Sequence, residues 1–307
     1  MSNMLISGGN GFLGSYLTDR ALKEGYEVTI VDNLSTTKPK NLDKEVEFVK
    51  AGIENFTSTK RFDFYVHLAA RPSPEDYVIN PVETMLSNSV GTLKMLEMAK
   101  ENNGIFLYTS SSEAYGSAEV TPTPEDYWGN VNFTGIRSCY DESKRFSEAL
   151  SLSFFREFGL DVRIQRPFNV YGPGIREDGP YGRVIPRFII QALNNEDITV
   201  LGDGKQTRSF LFVEDWVDAT WKMLMLKVTG QVFNIGSPEE ITITGLAQRI
   251  KGLVNSRSSI VFKNGRPDDP RRRAADITRA LTTLKWEPKV SLEEGLKRTI
   301  GFFGRDR

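Results

Sequence analysis

The stretch "CYDESKR" places Tyr140 and Lys144 four residues apart in a segment with the apolar spacing of a helix. Side chains at positions i and i+4 lie on one helix face, so the two groups would point to the same place. A tyrosine is a poor base at neutral pH because its pKa is about 10, but a neighbouring ammonium group favours the phenolate. Ser111 ends a predicted strand upstream and supplies a hydroxyl. A tyrosine, a lysine and a hydroxyl together predict a hydride-transfer site.

A glutamate, Glu113, lies beside this set of residues although hydride transfer does not obviously require it. In "TSSSEAYG", Glu113 directly follows Ser111 and Ser112, whereas hydride transfer alone requires no carboxylate. The residues alone assign this acid no role in the chemistry. Glu113 could merely cap a loop, since acids near strand ends are often solvated.

The stretch "SGGNGFLG" follows the first predicted strand and opens the first predicted helix. Gly8, Gly11 and Gly14 let the backbone approach a pyrophosphate, and the helix N-terminus supplies N–H groups and a favourable dipole. Asp32 ends the second predicted strand about 18 residues later, near the spacing expected of an acid that binds ribose hydroxyls. A carboxylate there repels a 2′-phosphate, so the pattern predicts NAD rather than NADP. The alternative is a tight turn with an acid that caps a loop.

The elements that must position these residues alternate along the first two thirds of the chain. Strands are predicted at 3–7, 27–32, 46–50, 62–70, 104–110 and 160–168, and helices at about 11–24, 82–102 and 143–159. Strands that alternate with helices imply crossover connections and a parallel sheet. The sequence therefore predicts an α/β fold, a doubly wound parallel-sheet (Rossmann) domain.

Beyond Arg166 the pattern is less regular. A loop rich in glycine and proline (172–186) precedes core-like segments, a helix near 244–254 and a Pro/Arg loop at 265–273, and Ser291 and Glu294 have the spacing of a capping box. We expect the NAD domain to comprise residues 1–168 plus about 209–236. A smaller, discontinuous C-terminal lobe, about 169–208 and 237–307, would bind the substrate.

Composition excludes several classes of function. The chain has 307 residues and a formal net charge of -1, which gives no electrostatic basis for binding nucleic acid or an anionic membrane. With one cysteine, Cys139, and one histidine, His67, neither an internal disulfide nor a Cys/His zinc site is expected, and we predict no metal. We assign His67, at the end of a predicted buried strand, a structural role. Because nothing resembles a signal peptide or a membrane span, we expect a cytoplasmic protein.

Several motifs together resemble one superfamily over essentially the whole chain. The glycine motif, "HLAA", "SSSEAYG", the Tyr140/Lys144 pair and "RPFNVYGP" are similar to the extended short-chain dehydrogenase/reductases that act on nucleotide sugars. Five further stretches most resemble the UDP-glucuronic acid decarboxylases, or UDP-xylose synthases: "EDYWGNVN", "RSCYDESKR", "GDGKQTRSF", "GSPEEITI" and "PDDPRRRAADI".

This resemblance implies NAD-dependent decarboxylation of UDP-glucuronic acid to UDP-xylose. In that family NAD⁺ oxidises C4 of the sugar, the resulting β-keto acid loses CO₂, the enolate is protonated at C5, and NADH returns its hydride. By this resemblance, Tyr140 removes the proton of the C4 hydroxyl and Lys144 binds the nicotinamide ribose. Ser111 supports the same hydroxyl by a hydrogen bond.

The same resemblance answers the question of the extra acid. It places Ser112 and Glu113 beside C5 and C6, where they assist decarboxylation or protonation. Arg273, in "PRRRAADI", would engage the carboxylate or the leaving CO₂, and a guanidinium suits a carboxylate geometrically. The alternative is that Arg271, Arg272 and Arg273 form a solvated basic patch.

Binding residues follow from the motifs and the resemblance. We expect the cofactor to be bound by Gly8, Gly11, Phe12, Leu13, Gly14, Asp32, Asn33, Ile53, Ala69, Tyr140 and Lys144. We expect the nucleotide sugar to be bound by Asn169, Arg183, Gln206, Arg208 and Arg273.

Three other functions are alternatives to the decarboxylase. A nucleotide-sugar 4-epimerase of the UDP-glucose/UDP-galactose type needs no carboxylate-binding arginine, so Glu113 and Arg273 argue against it. A 4,6-dehydratase normally carries an aspartate where Ser112 stands. A non-catalytic NAD-binding regulator would have a broken tyrosine, lysine and hydroxyl set, whereas this set is intact.

The resemblance also implies a homodimer. The helices at 82–102 and 143–158 would pair across a two-fold axis into a four-helix bundle, and two-fold dimers are the commonest assembly. The apolar stripe "FSEALSLSFF" fits this interface but could equally face the sheet. Whether NADH is re-oxidised or a 4-keto product leaves is not fixed by the sequence.

Overall fold

The structure is a computed structural model, and it describes residues 2–37, 45–177, 183–265 and 270–305. Parts of the loops predicted at 172–186 and 265–273 lie outside the described residues.

The strands are short, as expected of an α/β protein. They are β1 (Asn3–Ser7), β2 (Glu27–Val31), β3 (Val46–Val49), β4 (Phe64–His67), β5 (Ile105–Thr109), β6 (Val162–Pro167), β7 (Val170–Tyr171), β8 (Ile198–Leu201), β9 (Thr207–Ser209), β10 (Leu211–Phe212), β11 (Gln231–Ile235), β12 (Glu240–Thr242), β13 (Ile260–Lys263) and β14 (Arg272–Arg273).

The helices are α1 (Phe12–Lys23), α2 (Pro74–Ile79), α3 (Pro81–Asn102), α4 (Ser138–Phe158), α5 (Val184–Leu193), α6 (Val213–Met225), α7 (Ile243–Val254) and α8 (Leu292–Phe303). The start of α8 follows the predicted cap, because the Ser291 hydroxyl accepts a hydrogen bond from the Glu294 N–H at 3.3 Å. None of the helices in the described part of the chain is long and apolar enough to cross a membrane.

Seven strands form one parallel sheet in the order β11-β6-β5-β4-β1-β2-β3. The predicted doubly wound α/β fold is confirmed. The strand order reverses between β1 and β4, and ligands of such sheets bind at the carboxyl edge beside this switch point.

Alternating side chains bury both faces of this sheet. On β1, Met4 and Ile6 pack in one apolar cluster with α1 and α6, whereas Leu5 packs in another with α3 and α4. Each fully buried aliphatic side chain contributes about 1.5–3 kcal/mol relative to exposure. The period of two along the strand therefore fixes which helices cover each face.

A smaller lobe contains α5, α7 and α8 and three short sheets, β7 with β10, β8 with β13, and β9 between β12 and β14. It has a separate apolar cluster that includes Phe188, Leu246 and Leu296. Ala280, Leu284 and Trp286, from the C-terminal segment, instead pack in the cluster that covers the large sheet with α1 and α6.

Candidate active site

A cleft of about 760 Å³ lies where the carboxyl edge of the large sheet meets the smaller lobe. The structure brings together all of the residues that the sequence singled out as catalytic, cofactor-binding or substrate-binding. The residues that line the cleft include Gly8, Gly11, Phe12, Leu13, Gly14, Asp32, Asn33, Ile53, Ala69, Ser111, Ser112, Glu113, Tyr140, Lys144, Asn169, Arg183, Gln206, Arg208 and Arg273.

The turn between β1 and α1 leaves no room for side chains. Gly8 has a φ of +72°, and a Cβ there would lie 2.7 Å from the backbone of Ala69. A Cβ on Gly14 would lie 2.4 Å from the carbonyl oxygen of Gly8. This close packing brings the first turn of α1 to the carboxyl end of β1, where its N-terminus suits a phosphate.

Asp32 follows β2 and its carboxylate is fixed by backbone donors. Oδ2 accepts a hydrogen bond from the N–H of Asn10 at 3.1 Å, and Oδ1 accepts one from Leu34 at 2.8 Å. The carboxylate thus stands beside the glycine turn, the place of a ribose-binding acid. Turn and acid together fit an NAD molecule.

Tyr140, in the first turns of α4, is buried, and its ring stacks on that of Tyr77 with centroids 5.4 Å apart. Burial raises the pKa of Tyr140 above its usual range, while a hydrogen bond from Ser111 lowers it. The carboxylates of Glu113 and Asp141 raise this pKa further. A phenolate here therefore requires added positive charge at the hydroxyl.

Lys144 lies one turn further along α4 and is also buried. Its Nζ donates to the carbonyl oxygen of Thr109 at 2.8 Å and lies 5.8 Å from the ring centroid of Tyr140. Burial lowers the pKa of Lys144 to about 7, against the opposing charge of Glu148. The amino group of Lys144 is therefore placed between the end of β5 and the tyrosine.

Glu113 is held by two guanidinium groups. Arg273 donates to both carboxylate oxygens, with Nη2 2.8 Å from Oε2, and Arg137 donates to Oε2 as well. Although burial raises the pKa of Glu113, the charges of Arg273 and Arg137 outweigh it and hold this pKa well below its usual range. Glu113 is thus a half-buried, ionised carboxylate in a fork of arginine, which differs from both a loop cap and a solvated basic patch.

The three neighbouring arginines differ in their surroundings. Arg271 and Arg272 pair with Asp203 and Glu240 at the exposed surface, whereas Arg273 is only 7% exposed. The basic-patch interpretation therefore holds for two of the three residues.

Two predicted substrate residues are fixed by backbone carbonyls. Asn169, between β6 and β7, has a φ of +38°, and its Nδ2 donates to the carbonyl of Ser209 at 2.8 Å. Gln206 Nε2 donates to the carbonyl of Leu201 at 2.7 Å. These contacts fix both amides at the wall of the cleft.

The remaining two are cations from the lobe. Arg208, in β9, is buried and donates to the carbonyl of Thr207 at 2.8 Å, and its charge lowers the pKa of Glu113. Arg183 directly precedes α5, and its charge lowers the pKa of Tyr140. The lobe therefore brings positive charge to Glu113 and Tyr140.

The structure adds residues that sequence reasoning missed. Arg176 donates from Nη1 to the carbonyl of Thr36 and from Nη2 to Asp76 Oδ2, both at 2.7 Å, and so joins opposite walls of the cleft. Neither this contact nor that of Arg137 has a local sequence signal.

Beneath the cleft lies a buried ionic contact that does have such a signal. Glu148 follows Lys144 by four residues on the same helix face and pairs with Arg166, with Nε–Oε1 and Nη2–Oε2 distances of 2.9 and 2.5 Å. It also accepts a hydrogen bond from Ser110. The spacing of Tyr140, Lys144 and Glu148 could have identified it.

His67 has the structural setting that we expected. Its Nδ1 lies 2.6 Å from the hydroxyl of Ser7, and burial lowers its pKa to about 3, with a smaller contribution from Lys144. The ring is therefore neutral at physiological pH.

Comparison with known proteins gives consistent results. Residues 4–236 match the model of the NAD dependent epimerase/dehydratase family. The chain is 43% identical to UDP-glucuronic acid decarboxylase 1 of Danio rerio over 99% of this chain and 73% of that protein. It is 45% identical to UDP-glucuronic acid decarboxylase 5 of Arabidopsis thaliana over 96% of this chain and 88% of that protein.

Solved structures agree on the fold. UDP-glucose 4-epimerase of Thermotoga maritima, determined with UDP-glucose, superposes with a TM-score of 0.92 at 34% identity over 99% of both chains. UDP-glucuronic acid 4-epimerase of Bacillus cereus, in complex with UDP-glucuronic acid and NAD, gives 0.89 at 27% identity over 99% of this chain and 100% of that one. The resemblance predicted from the sequence motifs is confirmed, and the chain belongs to the NAD dependent epimerase/dehydratase family.

Proposed function

We propose that this protein converts UDP-glucuronic acid to UDP-xylose and CO₂ through a 4-keto intermediate, with NAD as its cofactor. The observation that carries the proposal is the fork of Arg273 on the Glu113 carboxylate inside the cleft. A substrate with a carboxylate on C5 needs such a guanidinium, and relatives 41–45% identical over nearly the whole chain are named UDP-glucuronic acid decarboxylases.

The first step concerns the C4 hydroxyl. When bound, NAD⁺ accepts a hydride from C4, adds positive charge beside the tyrosine, and as NADH can return that hydride. Tyr140 removes the hydroxyl proton, Ser111 holds the oxygen by a hydrogen bond, and Lys144 anchors the nicotinamide ribose. These roles accord with the burial of Tyr140 and the placement of both partners around it.

The second step concerns C5. Arg273 turns one or both of its N–H donors from Glu113 to the sugar carboxylate and holds that carboxylate in place. Each N–H that leaves Glu113 weakens the stabilisation of its charge and raises its pKa, so this carboxyl can accept a proton and hold it for transfer to C5. Ser112 is buried in the same turn. It would lie beside the reacting carbons.

We further propose that the lobe binds the nucleotide end of the substrate. Arg208 and Gln206, in and beside β9, would contact the diphosphate, and Asn169 and Arg183 the sugar or its phosphates. Their support is their position on the lobe side of the same cleft, with cations where an anionic ligand needs them.

A single incubation tests the reaction. Purified protein is supplied with NAD⁺ and UDP-glucuronic acid, and the sugar nucleotides are followed by mass spectrometry. We expect a product that is lighter by CO₂, and its oxidation state at C4 reports whether the hydride returns. The Tyr140→Phe variant, which keeps the ring and lacks the base, should give neither CO₂ nor NADH.

The same experiment separates the alternatives. Release of a C4 epimer with the carboxylate retained would identify a 4-epimerase. Interconversion of UDP-glucose and UDP-galactose, with UDP-glucuronic acid unchanged, would overturn the decarboxylase and leave Glu113 and Arg273 with a structural role. Loss of water from UDP-glucose would indicate a 4,6-dehydratase.

A homodimer through α3 and α4 is a second proposal. Val82, Met85 and Leu86 of α3 and Phe146 of α4 are 67%, 43%, 45% and 53% exposed, although large apolar side chains are usually buried. On α4, Phe154 faces the sheet while Phe146 faces outward, so the apolar stripe serves both surfaces.

Sedimentation velocity measurements test the dimer. The wild type should sediment as a dimer and the Phe146→Glu variant as a monomer. In a two-fold contact, each subunit would bury one unpaired glutamate charge. A monomeric wild type would contradict the proposal. The cytoplasmic location stays a prediction.

A further inference from the structure

Decarboxylation imposes a proton requirement on the site, if the proposed function holds. A carboxylate leaves as neutral CO₂ and a proton takes its place on C5, so each turnover consumes one proton. The proton that Tyr140 takes from the C4 hydroxyl returns to that oxygen when the hydride returns. A second proton must therefore reach C5 from elsewhere.

Glu113 alone does not meet this requirement. Its carboxylate accepts hydrogen bonds from Arg273 and Arg137, and its side chain is 19% exposed. A carboxylate held by two guanidinium groups is ionised and carries no proton of its own. It can relay a proton but must first receive one.

A second cavity, of about 180 Å³, lies on the other side of Glu113. Glu113, Arg137 and Arg273 line both this cavity and the main cleft, so one layer of ionic side chains separates the two spaces. Asp141, of α4, lines only the second cavity. The volume has room for a few water molecules among polar walls.

Asp141 has an unusual setting for a carboxyl group. It is 6% exposed, and among the described residues its Oδ1 has no hydrogen-bond partner. The charged groups that face it are Glu113, Arg137, Arg273 and its helix neighbour Glu142. Tyr77, Cys139 and Tyr140 are the uncharged titratable groups nearby.

These surroundings favour the protonated form. Burial raises the pKa of Asp141, the charge of Glu113 raises it further, and the two arginines oppose these effects without cancelling them. Of the two carboxyl groups on this cavity, Asp141 thus takes up a proton more readily than Glu113.

We propose that Asp141 stores the proton that each decarboxylation consumes and delivers it across the second cavity to Glu113, which passes it to C5. In the first transfer, the O–H bond of Asp141 breaks and an O–H bond forms on Glu113, through cavity water. In the second, that bond breaks, the electron pair of the enolate forms the C5–H bond, and the C4 carbonyl is restored. Solvent then reprotonates Asp141, so atoms and charge balance over the cycle.

A purely structural role for Asp141 makes different predictions. It lies in the first turn of α4, where a carboxylate stabilises the helix through the macrodipole. In that case its loss would lower stability without changing which step limits turnover.

The test compares Asp141→Asn with the wild type and with Glu157→Gln, which removes a charge from an exposed position of the same helix. CO₂ release, NADH absorbance and the solvent deuterium isotope effect are measured with UDP-glucuronic acid. We expect Asp141→Asn to lower kcat about 10- to 100-fold, with KM within about twofold. The isotope effect on kcat should increase, and NADH should accumulate during turnover.

The pH profile gives a second readout. Asp141 must be protonated to donate, so kcat of the wild type should fall as pH rises through the pKa of this group. Asp141→Asn should lack this fall, and Asp141→Glu should restore most of the rate with the fall at a shifted pH. An Asp141→Glu profile that coincides with that of the wild type would overturn the proposal even if Asp141→Asn did not fold.

The remaining outcomes are distinct. If the wild type releases no CO₂, the proposed function fails and this inference fails with it. If the wild type decarboxylates and Asp141→Asn has the same kcat and isotope effect, only the role of Asp141 is refuted.

Discussion

The two ends of the cleft are built in different ways. At the cofactor end, the turn at Gly8 and Gly14 is formed by backbone packed on backbone, and the acid Asp32 is held by N–H groups. The other end, where we propose that C5 of the sugar binds, is called the C5 end. There Glu113 is held by side chains of opposite charge, one of them 160 residues away in the sequence.

This difference separates two kinds of sensitivity. A packed turn tolerates changes of charge and rejects added atoms, whereas a buried ion pair keeps its place only while both partners are charged. The cofactor end should therefore respond to volume, and the C5 end to charge and protonation.

The largest effect is expected from Arg273→Met, which breaks the ion pair at the C5 end. Because Glu113 stays half-buried with one guanidinium fewer, the free energy of unfolding should fall by about 1–3 kcal/mol. CO₂ release should fall at least about 100-fold. Urea unfolding and CO₂ assays measure the two changes.

The double variant Arg273→Met/Glu113→Gln is the control for that change. It should recover part of the stability but none of the activity, because the uncompensated charge is gone and the carboxylate site is still missing. Equal stability of the single and double variants would mean that the two residues are not coupled.

Gly14→Ala should weaken the cofactor end with little change at the C5 end. The added methyl would lie 2.4 Å from the oxygen of Gly8, so the turn must open. We expect the Kd for NAD, measured by calorimetry, to rise at least about tenfold. Gly252→Ala, in α7, meets nothing within 4 Å and should leave this Kd unchanged. Equal Kd values for the two variants would contradict the steric argument.

Lys144 predicts a pH dependence of stability. Its pKa of about 7 lies below the ordinary 10.5, so between these values the unfolded chain binds a proton that the folded protein does not. The free energy of unfolding should therefore rise with pH, by up to about 1.4 kcal/mol per unit.

Urea unfolding between about pH 7 and 9 measures this slope. Lys144→Met should reduce it relative to the wild type, whereas Lys23→Met, at an exposed position of α1, should not. An unchanged slope in Lys144→Met would show that the buried lysine is not the source.

The smallest effect is expected from Arg176→Ala, at the rim of the cofactor end. This change removes the hydrogen bonds to Thr36 and Asp76, but Arg176 is partly exposed, and such pairs contribute about 0–1 kcal/mol. NAD binding should weaken a few-fold, and the difference should shrink in high salt. A loss of NAD affinity as large as that of Gly14→Ala would contradict this expectation, since Arg176 would then be as important for cofactor binding as the glycine turn.

The sequence predicted the cofactor end well because its signals are local. Strand, glycines, helix and Asp32 lie within the first 32 residues, and each leaves a pattern of spacing. The prediction for the start of α4 was less accurate. The helix begins at Ser138 rather than at 143, and no side chain among the described residues caps it. Helix α2 was missed, although Ser73, Pro74 and two acids form a start signal.

The C5 end could be predicted only in part. Resemblance indicated Glu113 and Arg273, but the second guanidinium, Arg137, comes from a segment with no periodic pattern. The raised pKa of Asp141 depends on burial by several distant segments. Properties that arise from such long-range packing have no counterpart in residue spacing.

The register of β14 on β9 has one more consequence, since it sets Arg273 directly beside Arg208. Neighbouring strands lie about 4.8 Å apart, so the two guanidinium stems are spaced by the backbone rather than by flexible side chains. If Arg273 binds the sugar carboxylate and Arg208 the diphosphate, the spacing of these strands selects substrates by the distance between their two anionic groups. A nucleotide sugar with a longer or shorter span would satisfy one arginine at the expense of the other.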